Sequence, residues 1–114
     1  MAVLDAEVKQ RALNAVRILK RSAAVRAAYI FGSQVEGKPH RFSDIDVALF
    51  VEGAENWDIR RRARVMAQIQ KEAGLDVEAH LFPASALDRC ESGTFAAYIL
   101  KTGTPLISAS GVEQ

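Results

Sequence analysis

Two segments of this 114-residue chain alternate acidic or imidazole side chains with aliphatic ones, and that alternation constrains its fold more than any other feature. Over residues 43–51, Asp44, Asp46 and Ala48 fall on one side and Ile45, Val47 and Leu49 on the other. Over residues 75–82, Asp76, Glu78 and His80 oppose Val77, Ala79 and Leu81. Successive side chains of a strand point to opposite faces, so both segments read as strands with one face turned to a core.

A third apolar run, residues 25–31, is rich in strand formers and stops at Gly32-Ser33, a small pair suited to a sharp turn. Residues 34–42, with Gly37 and Pro39, read as a loop or short helix before the next strand, and residues 52–56 as a connection. Helical spacing surrounds the strands. Residues 6–20 set Val8, Ala12, Ala15, Val16 and Leu19 on one stripe. Residues 57–73 offer Ile59, Val65, Met66 and Ile69 to a core and close at Gly74. Pro83 suits the first turn of a short helix over 84–89, a further helix spans 94–101 before Gly103, and 104–107 reads as a last edge strand. The expected architecture is α/β: a small mixed sheet flanked by helices, packed mainly on one side, with the active cleft beside the first two strands. One domain is expected over 1–114, with a core of about 5–107 and a polar tail, 108–114, that frays.

Composition supports a folded chain, since 49% of residues are hydrophobic and 25% charged, which excludes a disordered or collagen-like sequence. The formal net charge is +1, so the overall balance demands neither nucleic acid nor an anionic membrane as partner. The cluster Arg60, Arg61, Arg62 and Arg64 reads as a solvated helix face, with docking of an acidic partner or RNA as the sharper alternative. Tyr29, Phe31, Trp57 and Tyr98 read as core residues before base-stacking platforms. A lone cysteine, Cys90, excludes an internal disulfide framework and favours a reducing cytoplasm. No basic leader and no stretch of roughly 18 apolar residues is present, so neither secretion nor membrane insertion is expected.

Asp44 and Asp46 share a strand face, where two like charges repel and each loses solvation. A divalent cation resolves both penalties. Mg²⁺ takes hard oxygen ligands and binds through one or two carboxylates together with waters and substrate phosphates, so the pair meets its protein requirement and would recruit a polyphosphate. Gly32-Ser33 stands where a backbone can approach that polyphosphate, with a hydroxyl to donate to its oxygens. Lys38 and Arg41 stand in the intervening loop as candidate phosphate contacts, although solvated surface charge is the simpler reading; His40 is assigned no catalytic task. Each feature alone is weak, and the combination is stronger: strand, Gly-Ser, an interval of ten residues, then Asp-x-Asp in a following strand.

That combination, Gly32-Ser33 followed by Asp44-Ile45-Asp46 within Ser43-Asp44-Ile45-Asp46-Val47, resembles the signature of the polymerase-beta-like nucleotidyltransferases, specifically the minimal nucleotidyltransferase (MNT) branch. The order of elements from about residue 5 to residue 107 is similar to the family as well. The resemblance implies that Gly32 and Ser33 cradle a nucleoside triphosphate, with ATP and AMP transfer as the first choice. It implies that Asp44 and Asp46 bind Mg²⁺, two ions being expected about 4 Å apart. Relatives supply a third carboxylate from the next core strand. Glu78 is the best match, whereas Asp76 and His80 lie on the same face and stay open; His80 also reads as a general base beside the acceptor or as a hydrogen-bonded strand-end residue.

Minimal relatives often act as antitoxins beside a HEPN ribonuclease toxin, silencing it by adding AMP to a tyrosine or by direct binding. The resemblance therefore implies a protein acceptor on a HEPN-type partner. The competing expectation is a catalytically weak nucleotide-binding module that neutralises or regulates its partner by occlusion. A second copy covering an unpaired sheet edge is left open.

Overall fold

A computed structural model of the chain describes residues 6–32, 44–88 and 91–107. Helix α1 (Ala6–Lys20) leads into strand β1 (Val25–Phe31), and strand β2 (Ile45–Val51) follows. Helix α2 (Ile59–Ala73), strand β3 (Val77–Pro83), helix α3 (Phe95–Thr102) and strand β4 (Thr104–Ile107) complete the order. Single 3-10 turns at Ala54–Asn56 and Ala84–Leu87 join these elements.

The four strands form one sheet in the order β3-β2-β1-β4. β1 runs antiparallel to both β2 and β4, whereas β2 and β3 are parallel. Parallel neighbours need a crossover connection, which α2 supplies. The sheet is therefore mixed, as the α/β reading requires. β2 lies in its middle, and Asp46 is the single residue of that strand that is not buried.

Each face of the sheet carries its own core. On one face α1 and α2 pack Leu13, Val16, Leu19 and Ile69 against Ile30, Ile45, Val47, Leu49 and Val77. On the other, α3 sets Ala96 and Ile99 against Ala27, Phe31, Ala48 and Phe50, with Phe82 and Leu87 at its margin. Helices thus cover both faces. The expectation of packing mainly on one side holds for the two long helices and fails for α3, whose eight residues are apolar enough to close the second face.

The helix ends follow their caps. α2 begins two residues later than the spacing suggests, because the Asp58 carboxylate accepts from the Arg61 amide at 2.8 Å and so caps the helix. Its inward stripe is narrower than expected: Ile69 and Ala73 are buried, but Ile59 is 81% exposed and Met66 lies outside as well. Residues 58–61 are all exposed, so the first turn stands clear of the core. The segment after Pro83 is a 3-10 turn and not an α-helix, and the Thr94 hydroxyl caps α3 by accepting from the Ala97 amide at 3.1 Å. Among the described residues no helix is long and apolar enough to cross a membrane.

Candidate active site

Parallel pairing of β2 with β3 puts Asp46 directly opposite Glu78, and Ala48 opposite His80. All of these side chains belong to the α3 face, because their strand neighbours Ile45, Val47, Val77 and Ala79 fill the other core. Donor atoms of Asp46, Glu78 and His80 lie within 4.8 Å of one another. His80 Nε2 stands 3.1 Å from Asp46 Oδ1. Glu78 is exposed, while Asp46 and His80 are partly covered.

The end of β1 closes this corner. Phe31 pairs with Asp46 across the antiparallel ladder, and the next residue, Gly32, turns with φ +80°. A Cβ built on Gly32 would meet Asp46 Oδ2 at 2.8 Å. Only a residue without a side chain leaves that space beside the carboxylate, and the left-handed φ makes the same demand on the backbone. Aromatic rings wall the corner: Phe31 meets the His80 ring edge-on at 4.9 Å between centroids, and Phe95 meets Phe31 at 5.4 Å and His80 at 6.2 Å.

The structure sorts the residues singled out from the sequence. Asp46 and Glu78 come together, with His80 beside them. Asp44 is exposed and immediately precedes β2, outside that three-residue cluster. Asp76 leaves the shared face. It precedes β3, and its two carboxylate oxygens accept from the Arg11 guanidinium on α1, one bond measuring 2.9 Å, while Arg11 Nε also donates to the Ala73 carbonyl. Ser33, Lys38, His40, Arg41 and Cys90 lie outside the described residues.

Of the arginines on α2, Arg60, Arg61 and Arg64 are exposed. Arg62 is held by the Ala54 carbonyl at 2.7 Å, and the Arg61 guanidinium stacks 3.9 Å from the Trp57 ring. Phe31 and Trp57 are buried as core residues, whereas Tyr98 is 44% exposed. Phe95 went unremarked in the sequence. Its approach to His80 depends on how α3 crosses the sheet. A groove of about 370 Å³ on α3, lined by Thr94, Ala97, Tyr98 and Lys101 among others, includes none of the clustered carboxylates.

The donor set fits a divalent cation. Two carboxylates from neighbouring strands are what a magnesium-bound polyphosphate requires of a protein. Comparison with known proteins identifies the family. The family model described as polymerase beta, nucleotidyltransferase matches residues 14–111. Among curated proteins none matches the sequence significantly. Among solved structures, a toxin–antitoxin crystallised with AMP-PNP is similar with a TM-score of 0.56 and 24% identity, over 89% of this chain and 72% of that one. A Sulfolobus solfataricus protein provisionally assigned as a nucleotidyltransferase is similar with a TM-score of 0.55 and 14% identity, over 96% and 95% of the two chains. At these identities the likeness is one of fold.

Proposed function

The chain belongs to the polymerase beta nucleotidyltransferase family, and from that premise we propose that it transfers AMP from ATP to a hydroxyl on a partner protein, a HEPN-type toxin, and thereby acts as an antitoxin. The observation that carries the transferase reading is the corner where Asp46 faces Glu78 across the parallel ladder, beside the tight Gly32 turn that packs against Asp46. The solved toxin–antitoxin with AMP-PNP supports the choice of partner and nucleotide.

In this reading Asp44, Asp46 and Glu78 hold Mg²⁺, which when bound neutralises triphosphate charge and lowers the pKa of a hydroxyl or water near it. Gly32 and Ser33 cradle the phosphates through backbone amides and the serine hydroxyl. The acceptor oxygen attacks the α-phosphorus, the bond to the bridging oxygen breaks, and pyrophosphate leaves in line.

Intact-mass spectrometry tests the proposal. The chain is incubated with Mg²⁺, each nucleoside triphosphate in turn, and a HEPN-type toxin. Added mass equal to one or more AMP units on the partner, lost in Asp44→Asn and Asp46→Asn, is the expected result. A stable complex without added mass would favour neutralisation by occlusion, and unchanged transfer in both variants would remove the carboxylates from the mechanism.

A further inference from the structure

The least expected donor at the candidate metal site is the imidazole. His80 stands on the strand that brings Glu78 to Asp46, two residues further along and on the same face. Its Nε2 lies 3.1 Å from Asp46 Oδ1. Adjacent ligands of an octahedral ion with bonds of about 2.1 Å are separated by about 3.0 Å, the bond length times the square root of two. The imidazole nitrogen and the carboxylate oxygen thus already span one edge of such an octahedron. Glu78 completes a set of three donors, all within 4.8 Å of one another.

The ring is also held in place. Phe31 meets it edge-on at 4.9 Å between centroids and Phe95 stands beyond at 6.2 Å, so the buried Phe31 ring limits its rotation on one side. An imidazole held against a carboxylate, with a second carboxylate in reach, is a mixed nitrogen and oxygen donor set.

Such a set does not suit all divalent ions equally. Magnesium prefers oxygen throughout, whereas imidazole is a borderline donor that first-row transition ions accept readily. We infer that His80 is a direct metal ligand and that this site prefers a first-row transition ion, Mn²⁺ being the test case, over Mg²⁺. The inference rests on the proposed function for the identity of the site, and concerns which ion it takes and which residue selects it. A histidine that only oriented Asp46 by a hydrogen bond would leave the preference to the carboxylates.

The test uses the purified chain with Mn²⁺ alone, without nucleotide, so that any nitrogen near the ion comes from protein. Pulsed electron paramagnetic resonance of the bound Mn²⁺ is expected to show a directly coordinated ¹⁴N. The coupling should vanish in His80→Gln and persist in His40→Gln, the variant of the chain's other histidine. Competition titrations should show Mn²⁺ bound at least tenfold more tightly than Mg²⁺, with that ratio falling at least tenfold in His80→Gln. Circular dichroism checks that the variant folds.

Mn²⁺ bound in a manner sensitive to Asp46→Asn but without nitrogen coupling would overturn the inference and leave His80 as a positioning residue, with the proposed function intact. Absence of any binding that depends on Asp46 would overturn both.

Discussion

At Gly32 the backbone and the site make one demand. The residue turns with φ +80°, and a methyl group there would sit 2.8 Å from Asp46 Oδ2. Gly32→Ala is expected to cost about 1–2 kcal/mol through the left-handed backbone alone, read as a lower urea midpoint. It should also weaken metal binding, because the Asp46 side chain must swing aside. A stability loss with unchanged Mn²⁺ affinity would show that the carboxylate relaxes freely and that the glycine serves only the turn. Glu78→Gln should leave the urea midpoint in place, since the side chain is exposed, yet slow transfer at least tenfold, about 1.4 kcal/mol in barrier. Equal rates would remove Glu78 from the metal site.

Residue-level alternation narrowed the third position to Asp76, Glu78 and His80 and could go no further, because a strand's periodicity treats all three alike. Asp76 is set apart from the other two by an arginine 65 positions away in the sequence. No local pattern announces that pairing. The same limit hid the approach of Phe95 to His80, whereas Asp46 was legible from its own alternation and spacing.

Among the elements, the start of β3 is tied to α1 by the Arg11–Asp76 pair and to α2 by the Arg11 bond to the Ala73 carbonyl. Both charged side chains are partly exposed, so the pair is worth less than a buried one. Asp76→Ala should lower unfolding free energy by about 1 kcal/mol, by urea titration, while leaving the transfer rate as it is. A tenfold slower rate would return Asp76 to the candidate ligands. Element boundaries were readable where a terminal glycine marks them, as with Gly74 after α2 and Gly103 after α3. The inward stripe of α2 was misread at Ile59 and Met66, because apolar spacing does not say how far a helix runs before it reaches the sheet. Local spacing also assigned the strands individually without assigning their partners, and only the parallel pairing of β2 and β3 sets Asp46 beside Glu78.

On the scale of the molecule, the sheet divides two cores with different duties. The larger core, under α1 and α2, contains no candidate site residue, whereas the smaller one contains Phe31, which touches His80 and precedes Gly32. Ile69 and Ile99 are each fully buried, one in each core. Truncating either to alanine should cost about 2–5 kcal/mol by denaturant unfolding, the usual range for a large aliphatic side chain lost from a packed interior. Their effects on the site should differ. Ile99→Ala leaves a void beneath the aromatic wall, so Phe31 and Phe95 gain room and the His80 ring loses its fixed setting; Mn²⁺ affinity measured below the unfolding transition should fall severalfold. Ile69→Ala disturbs only the far face and should leave that affinity unchanged. Similar losses of affinity in both would mean that the sheet transmits strain from one core to the other, and the smaller core could no longer be regarded as the separate support of the site.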